Sequence, residues 1–400
     1  MITDISTESI NTIERIIKPQ ISINKLEYSS STYKMFSLLF NRIAHSRELW
    51  NINKNNINYS VINDLSYDTN YYPTPIQKYI NENKKTIYKS SFVCGEHSIN
   101  LFIMNYNSVN KRTFIMNIIK KVYTWLMCAS NFSSSKCSQN LNIYLSLTNQ
   151  IKKLPNLKDK YIDREHINSA FTYSCKKDNE IHIFRNEEWF KVLIHESFHS
   201  LGLDFSVFDH TDSNKQILEL FNVKSDVRIF ETYCEVWAEI INCMFIVLSN
   251  THWNDNYDKW LENLNNKLIE LLHNERIFSL FQCSKILSYF KMNYNDLFEN
   301  NDKYKEKTHI LSYFIIKSIF LFHLDDYIQK CIEINGYTIN FKKQDYLENI
   351  NNYILFVKET YKNKAYIETI NQITHITNKN NTKISNNVKN TLRMSLYNYK

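Results

Sequence analysis

The spacing of apolar and polar residues changes along the chain, and each change marks an element. Over Arg112–Ser130, Phe114, Ile118, Val122, Trp125 and Leu126 recur at helical intervals, which predicts a long buried helix. Leu141–Thr148 alternates apolar and polar with period two and reads as a strand. Ala170–Cys175 and Ile181–Arg185 are β-prone runs parted by the polar residues Lys176–Glu180, the pattern of a hairpin. Asn186 then reads as an N-cap, with Glu187 and Glu188 in a first turn where acids suit the helix dipole. The apolar run Trp189–Leu203 continues as a helix. Phe205–Asp226 reads as a polar connector with a short helical piece, and Arg228–Leu248 as a strong second helix. Residues 256–330 give several helices rich in Phe, Tyr and Leu, and 343–375 one more.

The two ends are less regular. Residues 1–110 read as an irregular leader with helical patches around Tyr33–Arg47, a break at Pro73-Thr74-Pro75 and a strand-like run Ile99–Met104. All 4 prolines precede Asn156, which fits a helical second half. Asn378–Asn390 is polar and of low complexity, the composition of a flexible segment. The expected class is α+β, mainly helical, with a small mixed or antiparallel sheet packed on the Trp189–Leu203 helix. The expected division is a leader of no assignable role (1–110), a core (111–250), a helical C-terminal region (251–376) and a polar flexible tail (377–400).

Composition narrows the classes. The formal charge of +7 is modest for 400 residues and both signs are interspersed, so a solvated surface is expected and no nucleic-acid partner. The 8 cysteines form no C-x-x-C pair, and Cys128, Cys234 and Cys243 lie in apolar runs, so free thiols in a reducing compartment are expected. Met1–Ser9 lacks the basic and apolar stretches of a signal peptide. The runs Ile240–Leu248 and Ile310–Leu324 are too short or interrupted to span a bilayer. A cytoplasmic protein with no membrane partner is expected.

One motif carries chemistry. His195-Glu196-Ser197-Phe198-His199 is an H-E-x-x-H sequence inside the apolar run. On a helix, residues four apart share a face, so both imidazoles can reach one ion. Zn2+ held by three protein ligands lowers the pKa of a bound water to about 7, and a carboxylate at the Glu196 position can take and return its proton. Gly202, one of only 3 glycines, follows His199 by three positions, where a positive φ or a close backbone approach would require it.

Two histidines leave a third ligand to be found. Asp204 lies one residue short of the position that the H-E-x-x-H-x-x-G-x-x-H/D pattern would use, which is Phe205. Glu231, Glu235 and Glu239 form an acidic stripe at i, i+4 and i+8 on an otherwise apolar helix, unfavourable unless a cation faces it. Glu219 is a further candidate without a supporting acid.

An H-E-x-x-H helix followed by a glutamate on a second helix resembles the gluzincin zinc metallopeptidases. The succession Ala170–Ser174, Ile183–Arg185, Glu188–Val192, His195–His199 and Glu231–Glu235 is also similar to metallopeptidase-like proteins of large DNA viruses. The resemblance covers roughly Leu141–Leu248. In that family the ligand Glu is often followed by a small residue at +3 and an acid at +4 that hydrogen-bonds a ligating His. Glu235, Ala238 and Glu239 have this form, so the resemblance implies Glu235 as ligand and Glu239 behind it. The alternative register makes Glu231 the ligand and Glu235 the outer acid. It further implies a peptide or protein substrate lying along Ala170–Cys175 or Ile181–Arg185, and a Tyr or His donor, for which Tyr313 and Tyr233 are candidates. If the protein is viral, it would work in the host cytoplasm or the virion. Alternatives from other classes are a metal-binding scaffold without turnover and a nucleic-acid-associated protein.

Overall fold

The structure, a computed structural model, describes residues 4–106, 112–156, 161–252, 255–299 and 302–399. Its six strands are β1 (Tyr59–Ile62), β2 (Thr86–Cys94), β3 (His97–Asn105), β4 (Asn140–Ser146), β5 (Ala170–Thr172) and β6 (Asp178–Ile183). They form one mixed sheet in the order β1-β2-β3-β4-β6-β5. Neighbours are antiparallel at β1/β2, β2/β3 and β5/β6, and parallel at β3/β4 and β4/β6. A parallel pair needs a crossover, and the Arg112–Ser130 helix supplies the one from β3 to β4.

Alternation decides which face is which. Ile99, Leu101, Ile103, Leu141, Ile143, Leu145, Ile181 and Ile183 all enter the main core. Against that face lie the Arg112–Ser130 and Trp189–Ser200 helices. The Ile229–Ser249 helix packs on the latter, with Tyr257–Tyr289 beyond it. The other face carries Phe102, Met104 and Tyr144, covered by Tyr67 and Tyr106. Ile229–Ser249 is long and apolar enough to cross a bilayer, yet most of it is buried within this protein. The architecture is α+β, and the helix, strand, hairpin and helix expected over 112–203 are all present.

The two ends differ from expectation. Residues 59–105 supply β1, β2 and β3, so a division near 110 falls inside a single sheet. Pro73-Thr74-Pro75 starts the helix Thr74–Glu82, with a proline in its first turn where no amide hydrogen is needed. The stretch after 377 is a packed element: Leu392, Met394, Leu396 and Tyr397 are buried. Its buried amides find acceptors in two carboxylates. Glu188 accepts from Met394 N–H (3.1 Å) and Ser395 N–H (2.7 Å), and Glu275 from Leu396 N–H (2.8 Å). Unpaired, those amides would resist burial.

The same contacts explain a displaced helix start. Glu188, not Asn186, is the N-cap residue, at φ 58° and without a side-chain cap. Its carboxylate is turned inward to Lys152 Nζ, while Glu187 Oε2 accepts from Lys152 N–H at 2.7 Å. One further correction concerns sulfur: Cys137 and Cys175 are joined by a disulfide, while Cys94, Cys128, Cys234, Cys243, Cys283 and Cys331 are free and buried.

Candidate metal centre

Side chains four apart on the Trp189–Ser200 helix project from one face, and that face meets the first turns of Ile229–Ser249. The Nε2 atoms of His195 and His199 therefore come within 3.3 Å of each other. Glu231 Oε2 sits 3.1 Å from His195 Nε2 and 3.4 Å from His199 Nε2. These three buried donors converge as a group able to hold a metal ion.

Within the acidic stripe, the geometry differs from the register that the resemblance implies. It is Glu231, the alternative, that meets both Nε2 atoms. Glu235, the residue implied as ligand, lies one turn further along and faces His195 Nδ1 through Oε2 at 3.1 Å. Glu239 lies another turn on, away from both rings, paired with Lys317 Nζ. The stripe is not an exposed one: Glu231, Glu235 and Glu239 are 8, 2 and 0% exposed. Its facing cations include two buried lysines. Lys191 Nζ pairs with Glu235 Oε1, and Lys317 Nζ reaches that oxygen at 3.3 Å.

Both imidazoles are oriented from behind. Asp204 Oδ2 lies 2.6 Å from His199 Nδ1, as Glu235 lies behind His195 Nδ1. The Asp204 hydrogen bond at His199 Nδ1 favours the tautomer that leaves that ring's Nε2 free to coordinate, and the Glu235 carboxylate stands at ion-pair distance from His195 Nδ1. Asp204 is thus not a third ligand alongside the Nε2 pair. Asp204, Cys234 and His199 Nδ1 form a second tight group, with Cys234 Sγ 3.5 Å from Asp204 Oδ2. Glu219 is exposed on the Thr211–Leu220 helix and does not join the site.

Charge follows this layout. Burial works to raise the Glu231 carboxyl, but His199 and His195 overcome it and hold it well below the usual range. Glu235 is likewise held well down against burial, by Lys191 and Lys317. Burial opposes protonation of His195, yet Glu231 and Glu235 raise its pKa. His199 is raised well above an ordinary imidazole, burial being outweighed by Cys234, Asp204 and Glu231. This is an electron-rich pocket in which the carboxylates favour the charged form of both histidines against burial.

Glu196 lines a small cleft of about 60 Å³ together with His195, Glu235, Tyr313, Ala170 and Met394. Burial raises its carboxyl above the usual range, opposed by the two histidines. Tyr313 Oη donates to Glu231 Oε2 at 2.9 Å, so this aromatic belongs to the site. Tyr233 does not: its hydroxyl donates to the Ile339 carbonyl at 2.8 Å, in the core. Sequence reasoning missed Lys191, Lys317 and Met394. A lone lysine inside each of two apolar helices was the available signal for the first two, since burying an ammonium demands a partner. Compared with protein-family models, curated proteins and solved structures, the chain matches none.

Proposed function

We propose that the protein is a zinc-dependent metallopeptidase, with His195, His199 and Glu231 as the protein ligands. The observation that carries this reading is the convergence of two Nε2 atoms and one carboxylate oxygen beside a cleft lined by Glu196 and Tyr313. Two nitrogens and one oxygen form a donor set that zinc takes in hydrolases, leaving a fourth position open. Zinc bound there would acidify a water and polarise a substrate carbonyl. Glu196 would take the proton of the attacking water and return it to the leaving amine. Tyr313 would turn its hydroxyl from Glu231 to the oxygen on which negative charge develops. Glu235 and Asp204 would hold the two rings. β5 ends the sheet and its Ala170 lines the cleft, so an extended peptide can add along this edge. Of the two runs considered for that role, β6 lies inside the sheet between β4 and β5.

The test is cleavage of a peptide library by the full chain loaded with zinc. Cleavage is expected with zinc, lost on stripping with a chelator and restored by adding zinc back. A metal-binding scaffold without turnover is favoured by one observation, the small size of the cleft. It predicts full zinc loading with no cleavage in any state.

Zinc affinity should also fall with pH. Coordination needs neutral imidazoles, and both histidines have raised pKa values in the metal-free protein. Affinity is therefore greatest above those values and declines as pH falls through them, by roughly tenfold per pH unit for each proton displaced. Competition with a chelator of known affinity at pH 6, 7 and 8 measures this; a flat response would argue against imidazole ligands.

A further inference from the structure

The disulfide sits where the helix bearing His199 ends. Cys137 lies shortly before β4, and Cys175 lies in the loop of the β5–β6 hairpin. The Cys175 N–H donates to the His199 carbonyl at 3.1 Å. Ser138 Oγ donates to the Ser200 carbonyl at 2.6 Å, and Asn179 Nδ2 donates to Ser138 Oγ at 3.2 Å and to the Tyr173 carbonyl at 2.8 Å. Gly202 completes the contact. It has φ +64°, and a Cβ there would lie 2.9 Å from Cys137 Sγ and 3.3 Å from Cys175 Cβ. The sulfur bridge is thus packed directly on the turn after His199, and it ties that turn to the hairpin whose outer strand borders the cleft.

Two features make the bridge responsive rather than inert. Cys137 and the six free cysteines are buried, but Cys175 is only half-buried, so the Cys175 side of the bridge is the one nearer solvent. Cys175 also holds φ 44°, a left-handed conformation that costs a non-glycine residue energy and persists only while its surroundings impose it.

We propose that Cys137–Cys175 is a redox switch acting on the His199 turn. A dithiol reductant attacks the Cys175 sulfur as a thiolate, and Cys137 leaves as a thiolate and is protonated. The second thiol of the reductant then displaces Cys175, so two electrons and two protons pass to the pair and the reductant becomes a disulfide. A disulfide oxidant reverses the exchange. In the reduced form the hairpin loop releases the His199 carbonyl, and both the turn and the β5 edge loosen. The consequence for peptide cleavage rests on the function proposed above; the loosening itself does not.

The test compares the full chain oxidised, reduced with dithiothreitol, and as the Cys137→Ser/Cys175→Ser double variant, with alkylation and mass measurement confirming each thiol state. Amide hydrogen exchange in 173–179 and 197–203 is expected to accelerate about tenfold or more on reduction, with the rest of the chain unchanged. The double variant should match the reduced form, and oxidised glutathione should restore slow exchange only in the wild type. Peptide cleavage, where present, should fall about tenfold with the same reversibility. Unchanged local exchange in fully reduced protein would overturn the proposal, as would acceleration spread over the whole chain, the mark of a simple structural cross-link. Undiminished cleavage in the reduced form would overturn it too. Local, reversible loosening with no cleavage in either state would uphold the switch and sink the peptidase reading alone.

Discussion

Zinc-loaded Glu196→Gln is expected to hold the metal as the wild type does and to cleave peptides about 10²–10⁴-fold more slowly, the usual contribution of a positioned acid–base group. Glutamine has the same shape, so the Trp189–Ser200 helix should pack unchanged, and Glu196 is not among the atoms that converge on the two Nε2 positions. What is lost is the ability to take a proton and return it. Burial already raises this carboxyl, which moves it towards the range where a group can do both near neutral pH. The pair of measurements is zinc content and single-turnover cleavage rate. Equal rates in the two proteins would remove Glu196 from the reaction.

The second large effect separates two neighbouring glutamates. Glu231→Gln should weaken zinc binding by well over the 10–100-fold that loss of an outer partner costs, because it takes the negative charge from the one carboxylate that meets both Nε2 atoms. Glu235→Gln should fall within that outer-partner range, since on the imidazole pair Glu235 faces His195 Nδ1 and neither Nε2 atom. Its larger penalty should be in folding. Lys191, 2% exposed, has its ion pair with Glu235 alone among the described residues, and breaking a buried pair on one side costs about 3–5 kcal/mol. Competition for zinc and urea unfolding of both variants should give opposite rankings. If Glu235→Gln instead proved the more severe for zinc, the register implied by the family resemblance would be the right one.

That choice of register shows where sequence reading reached its limit. The pattern of His195, Glu196 and His199 fixes their helix face through the 3.6-residue period alone. It also shows an acidic stripe too costly to be left without cations. Glu231 and Glu235 share one face, however, and which of them meets Nε2 depends on how two helices cross. Ala238 and Glu239 favoured the later register, but Lys317, nearly eighty residues on, is what Glu239 pairs with.

Other misreadings have the same origin in long-range contacts. Asn186 offers a good local cap, yet the carboxylates of Glu187 and Glu188 are drawn inward by Lys152 and the 394–395 amides, and the helix begins later. The last stretch of chain looked flexible because of its Asn and Lys content. Leu392, Met394 and Leu396 nonetheless alternate with period two, a signal that was present. In β2, Lys89, Ser90 and Ser91 interrupt the apolar pattern, which hid a strand whose pairing partners make it stable. The Cys137–Cys175 pairing has a separation of 38 residues and no spacing rule that could reveal it.

The most direct measurement is anomalous diffraction at the zinc absorption edge from crystals of the zinc-loaded protein. The expected result is one strong peak about 2.0–2.2 Å from His195 Nε2, His199 Nε2 and a carboxylate oxygen of Glu231, with Glu235 and Asp204 still behind the two rings. A peak enclosed instead by His199 Nδ1, Asp204 and Cys234, or no peak beside the H-E-x-x-H helix, would contradict a His195–His199–Glu231 centre.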